Sequence, residues 1–249
     1  MIVFRARWGG VVAGLALAAA AARGAADPTS GAQGFGAAVE LKTEDGVVLA
    51  GTWYGPSRTP APAVVLLHML TRSRHDWETV AALLSSDGIG VLAIDLRGHG
   101  ASGGLSVEGA NDLQPMRYDV KAARTWVKAQ PSVLADRIGL GGASIGANLA
   151  ALDAATDPAV RSVVLLSPGT DYRGLRPEAA LRALKGRPVL FVASYDDPYA
   201  LRSLARFEKA AVPGEIFERL DAAGHGTVML ARHPDLGRRL VDWFRSTLL

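Results

Sequence analysis

The segment from Arg137 to Leu149 reads RIGLGGASIGANL, and its centre, Gly142-Ala143-Ser144-Ile145-Gly146, is a G-x-S-x-G run. A serine hydroxyl is a poor nucleophile in open solution. It becomes useful when a sharp strand-to-helix turn projects it from the end of a sheet toward a base. Glycine two residues before and two after suits such a turn, because side chains there would strike the neighbouring strand and helix. The serine backbone itself is expected to be strained. With 28 Gly in 249 residues a chance match is not remote, and Gly100-Ala101-Ser102-Gly103-Gly104 is a second one. Context separates the two. Ser144 follows an apolar stretch and leads into Ala147, Leu149, Ala150, Ala151, Leu152, Ala154 and Ala155, a helix-forming sequence. Ser102 leads into LSVEGANDLQ, which has no immediate helical pattern, and reads as loop punctuation. Ser144 is the candidate nucleophile.

A serine nucleophile needs a base for its proton and a carboxylate to orient that base. Of the five histidines, His68, His75, His99, His225 and His233, His225 follows the final strand in the turn Ala223-Gly224-His225-Gly226, where flanking glycines let the ring swing. Asp196 and Asp197 end the strand-like PVLFVASYDD, giving the chain order Ser, Asp, His. Asp197, three residues past the small Ser194, is the favoured carboxylate and Asp196 reads as a turn former. Asp171, in SPGTDYRG, remains an alternative, and Asp221 reads as a solvated turn residue.

The elements that must position these groups alternate. Val39-Lys42 and Val47-Tyr54, joined by Glu44-Asp45-Gly46, read as an antiparallel hairpin. Ala63-His68 is an apolar run suited to burial on both faces of a sheet. A helix is expected at Asp76-Ser86, a strand at Gly90-Leu96 and a long helix at Leu113-Ala129, stopped by Pro131. After the Ser144 strand and helix, strands are expected at Val160-Ser167, Pro188-Ser194 and Glu215-Leu220. Helices are expected at Pro177-Leu184, Tyr199-Ala211 and Leu236-Leu248. Such alternation predicts a doubly wound, mostly parallel sheet with ligands at the carboxyl ends of its strands. The segment from Pro168 to Gly186 is too short for a substantial lid, so the site is expected to be open or shallow.

GASIGA, ASYDDP and AGHG, with IDLRGHGAS at Ile94-Ser102 and LLHML at Leu66-Leu70, occur in the order and spacing of a known family. The chain resembles the α/β-hydrolase-fold serine hydrolases, close to the compact, lidless esterase and dienelactone-hydrolase-like branch. That resemblance implies a mostly parallel eight-stranded sheet with helices on both faces and no large lid. It assigns the oxyanion hole to the backbone amides of Ile145 and of a residue after the third strand. Matching the family's His-Gly-x pattern onto His68-Met69-Leu70 makes Leu70 the second donor. Met69 stands where the family has glycine, so it either donates instead or lines the acyl pocket. His68 and His99 then read as structural, and His75 as a loop or helix-start residue. Dienelactone hydrolases proper use cysteine, which this chain lacks.

Arg5 and Arg7, the uncharged run Trp8 to Ala22 and the small residues of ARGAAD read as a cleaved export signal over residues 1–26. A flexible segment is expected at 27–37 and the hydrolase domain at 38–249. Three of the 27 basic residues (Arg5, Arg7, Arg23) lie in the signal, leaving 24 against 24 acidic ones, so neither nucleic acid nor an anionic membrane is implied as partner. An exported chain without cysteine points to a bacterial periplasmic or secreted protein, not inserted in the membrane after cleavage. Arg72 and Arg74 read as solvated rather than as substrate clamps. No His, Asp and Glu grouping has metal-ligand spacing and no loop fits a phosphate, so neither metal nor other cofactor is expected. The expected activity is hydrolysis of small or short-chain carboxylic esters through an acyl-serine, with a serine aminopeptidase-like peptidase or a non-catalytic binding protein of the same fold as alternatives.

Overall fold

The structure, a computed structural model, describes residues 36–249 apart from 108 and 212. The expected export signal and residues 27–35 lie outside the described residues. In chain order the elements are β1 (Ala37–Lys42), β2 (Val48–Tyr54), β3 (Ala61–Leu67), α1 (Glu78–Ser86), β4 (Gly90–Ile94), α2 (Arg117–Lys128), β5 (Val133–Ala143) and α3 (Ile145–Ala154). There follow β6 (Val160–Leu166), α4 (Glu178–Ala183), β7 (Val189–Ser194), α5 (Pro198–Glu208), β8 (Glu215–Leu220), α6 (Val228–Arg232) and α7 (Pro234–Leu248).

The strands form one sheet in the order β1-β2-β4-β3-β5-β6-β7-β8. β2 runs antiparallel to both β1 and β4, and every other pairing is parallel. The chain leaves β3 toward β4 on one side, then crosses back to β5 on the other. The crevice at such a reversal is where doubly wound sheets hold ligands. The loops after β3 and β5, carrying Met69, Leu70 and Ser144, both open there.

β3, β4 and β7 are buried along their whole length, as their unbroken apolar runs require. Alternate residues feed two cores. Ala63, Val65 and Leu67 point to the face covered by Val120 and Val127 of α2, Leu149 of α3 and Leu204 of α5. Val64 and Leu66 point to the face covered by Leu84 of α1 and Leu240 and Phe244 of α7. The glycines of β5 belong to this second packing. A Cβ on Gly139 would come within 2.8 Å of the Phe244 ring, and one on Gly141 within 2.7 Å of Leu66. Their absence lets the last helix press against the strand that ends in Ser144.

The expected helices are present with altered ends. The stretches before α1 and α2 are tight 3-10 turns, Arg74–Trp77 and Gln114–Met116, the latter built around Pro115. α6 was not expected: five residues between Gly226 and Pro234 are too few to show a period.

The turn after β4 is held by buried charges. Arg97 reaches Asp119 at 2.8 Å and Asp45 at 2.6 and 2.9 Å, and His99 bonds the Arg97 carbonyl oxygen. Asp95 is fully buried and accepts from the backbone N–H groups of Arg74 (2.7 Å) and Ala101 (2.9 Å) and from the Arg74 guanidinium. The expectation that Arg74 is solvated is thus corrected: a buried carboxylate needs a cationic partner, and Arg74 supplies it. Arg72 is half exposed and pairs with Asp76.

Replacing Phe244 with alanine would empty the space that the β5 glycines leave. Phe244→Ala is expected to cost about 3–5 kcal/mol of stability in denaturant unfolding. A loss under 1 kcal/mol would mean that α7 does not back the nucleophile strand as described.

Candidate active site

Ser144 sits between β5 and α3 with φ 54° and ψ −116°, a left-handed conformation unusual for a residue with a side chain. Close approach on both sides imposes it. A Cβ on Gly142 would strike the carbonyl of Gly146, and one on Gly146 would lie 2.5 Å from the Leu67 oxygen and 2.6 Å from that of His68. The turn therefore rests directly on the end of β3. Its register is set by the Ser144 N–H, which donates to Leu166 of β6 at 2.8 Å. Ile145 opens α3, so its N–H belongs to the first turn, where donors lack intrahelical acceptors and the helix dipole is positive.

His225 lies on the loop after β8, between Gly224 (φ 79°) and Gly226 (φ 59°). Its Nδ1 is 2.6 Å from Oδ2 of Asp197. A proton on Nδ1 satisfies that contact and leaves the Nε2 lone pair to face outward. The imidazole is 40% exposed, while Ser144 and Asp197 are buried. Asp197 is also the N-cap of α5: its Oδ1 accepts the Ala200 N–H at 3.2 Å, with Pro198 in the first turn. Burial raises its carboxyl pKa, but the hydrogen bond and charge of His225 outweigh this and hold the group below its ordinary value.

The alternative carboxylates point elsewhere. Asp196 is engaged by the Ser194 hydroxyl and by the Gly224 N–H at 2.9 Å, which ties β7 to the histidine loop. Asp171 accepts from the Gly174 N–H (2.8 Å) and from Arg176 (2.6 Å). Asp221 uses its backbone oxygen to accept from His233 at 2.7 Å. Ser102 lies away from these groups, its hydroxyl donating to the Asp95 carbonyl (2.6 Å) and accepting from the Ala50 N–H (2.8 Å). His75 pairs with Glu78 on the exposed start of α1.

The wall after β3 is organised by His68, which is fully buried. Its Nε2 accepts the Leu96 N–H at 2.9 Å and its Nδ1 donates to the Met69 carbonyl at 2.7 Å. Burial pushes its pKa down to about 4, so the ring stays neutral. The Met69 carbonyl and the Leu70 N–H share one planar peptide and point in opposite directions. By holding the carbonyl, His68 fixes where the Leu70 N–H is aimed. Met69 turns its thioether toward the histidine loop: a Cβ on Gly226 would come within 2.5 Å of Sδ.

Three residues escape a sequence reading. Ser167, just past the end of β6 with φ 49°, accepts the Gly226 N–H at 2.9 Å on its hydroxyl and donates its own N–H to Val192 of β7 at 2.7 Å, joining the loop of the base to the strand that ends in the carboxylate. Thr227 donates to Asp76, joining the histidine loop to the start of α1. Tyr172 bonds the Ser167 carbonyl at 3.1 Å, and its ring stands at 81° to His225 with centroids 6.5 Å apart. The Tyr172 side chain thus stands beside the base while its hydroxyl is held at the end of β6. The only hint of Tyr172 in the sequence is its position in the segment that follows β6.

Arg72, Arg74 and Arg176 each have a carboxylate partner, and Asp76, Asp171 and Asp196 are engaged in turn. The mouth therefore offers no spare charge among these groups. A cleft of about 630 Å³ lies elsewhere, against α2, lined by Asp112, Arg117, Tyr118 and Lys121 among others, and contains none of the residues above. No grouping of His, Asp and Glu able to hold a metal occurs among the described residues.

Residues 58–204 match the family described as serine aminopeptidase, S33. The thiohydrolase apmlB of Arthrinium phaeospermum is 35% identical over 141 residues, which cover 54% of this chain and 44% of that protein. The polyketide transferase ATR5 of Stachybotrys chlorohalonatus is 32% identical over 137 residues, covering 54% and 45%. The chain thus spans under half the length of these relatives. The α/β hydrolase GrgF of a Penicillium species shares the fold, with a TM-score of 0.73 over 86% of this chain and 99% of that one at 17% identity.

Because His225 depresses the Asp197 carboxyl, their contact adds stability above the ordinary carboxylate range, lost as pH falls through the depressed value. Melting curves of the wild type and Asp197→Asn should differ at neutral pH, begin to approach each other only near the ordinary carboxylate value of about 3.9, and converge below the depressed value. A difference independent of pH would contradict the pairing.

Proposed function

The chain belongs to the serine aminopeptidase (S33) family of α/β hydrolases, and from that premise we propose that it is a serine hydrolase of small, uncharged carboxylic esters. The observation that carries this reading is the Asp197–His225 contact at 2.6 Å at the same sheet end as the strained Ser144. His225 Nε2 takes the Ser144 proton as Oγ attacks the substrate carbonyl, then returns it to the departing alcohol. Asp197 keeps the proton on Nδ1 and stabilises the imidazolium. The amides of Ile145 and Leu70 receive the oxyanion, with Met69 lining the acyl side. Water repeats the sequence on the acyl-serine.

Two features favour esters over amino-terminal peptides. An aminopeptidase needs a carboxylate to hold the substrate's ammonium group, and Asp76, Asp171 and Asp196 are already engaged. The segment between β6 and β7 carries only the six-residue α4, too little to screen out long chains. A thioester reading stands second, supported by the partial match to a protein named thiohydrolase. The electrophile is the same carbonyl with a better leaving group, so the residues keep their roles. Export of the mature domain is part of the proposal, resting on the leader composition.

Ser144→Ala should lower hydrolysis of p-nitrophenyl acetate or butyrate by about 10⁶-fold, the cost typical of removing such a nucleophile. Equal rates in wild type and variant would end the proposal. Ser102→Ala should keep the activity while lowering stability by about 1 kcal/mol, since it removes only the bridge between Asp95 and Ala50. In a panel of p-nitrophenyl esters, acyl thioesters and aminoacyl-p-nitroanilides at equal concentration, the esters should turn over fastest. Preference for the anilides would favour the peptidase instead.

A further inference from the structure

The turn after β3 and the loop of His225 come from distant parts of the chain, and one carboxylate, that of Asp76, is hydrogen-bonded to both. Asp76 is anchored from behind. Its neighbour Trp77 is fully buried, and Arg74 gives its N–H (2.7 Å) and its guanidinium to the buried Asp95. The Asp76 N–H donates to the Ser73 oxygen at 3.2 Å, closing the tight turn before α1. Its two carboxylate oxygens accept from Arg72 Nε at 3.1 and 3.0 Å, and Oδ2 also accepts from the Thr227 hydroxyl. The Asp76 side chain is only 12% exposed, so water competes little for these bonds. Thr227 is buried, and its hydroxyl depends on that acceptor.

Each partner leads to a wall of the site. On the Arg72 side, the turn from Met69 to Arg72 is closed by the Arg72 N–H, which donates to the Met69 oxygen at 3.3 Å, and Thr71 within it has φ 61°. A residue with a side chain stays in that left-handed region when both ends of its turn are held. His68 holds one end through the Met69 oxygen at 2.7 Å, and Asp76 holds the other through Arg72. Between them lies the peptide that carries the Leu70 N–H. On the other side, Thr227 is two residues beyond His225, and Gly226 between them lies against the Met69 thioether. The polar link and the apolar contact thus fix the same spacing, from the Leu70 amide to the imidazole. An oxyanion donor and a base act on one carbonyl, so an error in their spacing raises the barrier even when each loop is intact. We propose that Asp76 is a positioning residue that keeps the Leu70 amide in register with His225. The inference rests on those two groups serving as oxyanion donor and base, and it names what holds them in step.

Steady-state hydrolysis of p-nitrophenyl butyrate separates this role from plain support of the fold. Asp76→Ala, shown by thermal melts to be folded, should lower kcat about ten- to a hundredfold, the scale of a misplacement near 1 Å, with KM within about twofold. Asp76→Asn keeps an acceptor for Thr227 and should recover part of that loss. Thr227→Val preserves the shape of the side chain and removes only the donor, so it too should lower kcat. The Asp76→Ala/Thr227→Val double variant should fall no further than Asp76→Ala alone, because both changes cut one link. A wild-type kcat in folded Asp76→Ala overturns the inference, as does a raised KM with kcat unchanged, or losses that multiply in the double variant. Should Asp76→Ala not fold, Thr227→Val decides, and an unchanged kcat there overturns the inference. If the wild type hydrolyses no ester, the proposed function itself fails. If it does and the folded variants match it, only the role of Asp76 falls.

Discussion

The structure turns on how closely two backbones approach. The turn between β5 and α3 lies against the carbonyls of Leu67 and His68, a contact that only hydrogen at position 146 permits, while hydrogen at 142 leaves room for the Gly146 carbonyl. Ser144 is held at φ 54° because the strand before it and the helix after it are both anchored. Such a conformation costs of order 1–3 kcal/mol and persists where its surroundings over-determine it. Here they do: β5 lies between β3 and β6, and α3 is buried against both sheet and loop. The same approach places the amide of Ile145 beside the β3 loop, whose peptide His68 holds in one orientation.

The remaining polar groups of the site are economical, each serving the scaffold and the chemistry together. Asp197 caps α5 with one oxygen and orients His225 with the other. Ser167 follows β6, and its hydroxyl ties the histidine loop to that strand end. Asp76 receives Thr227 from the same loop and Arg72 from its own. Three strand ends are thereby cross-connected behind His225, so the base keeps its place although its ring is 40% exposed. Preorganisation of this kind would serve the proposed chemistry by fixing the imidazole before a substrate arrives.

What the sequence made legible was local. The elbow glycines, the histidine between glycines and the aspartate ending a strand each carry their reason within a few residues, and the alternation of elements orders them along the sheet. The eight strands and the family follow from that order. What stayed hidden depends on tertiary contact. Nothing in SPGTDYRG distinguishes Tyr172 from a surface tyrosine until Asn148 and Tyr199 hold the loop with that ring beside His225. Arg74 looked like one of several loop cations because its partner, Asp95, lies 21 residues away in a different strand end. Even the choice of Asp197 over Asp196 had an unread local signal, the Asp-Pro pair that starts a helix.

The packing of Phe244 on the glycine face of β5 has a consequence for synthesis. The nucleophile segment leaves the ribosome about a hundred residues before the side chain that backs it. His225 arrives nearly as late. A nascent chain that already contains GASIGA has a β5 with one bare face and lacks the histidine that the proposed mechanism uses as its base. Under that mechanism reactivity would wait for the polypeptide to be nearly complete, a form of timing written into the order of the elements.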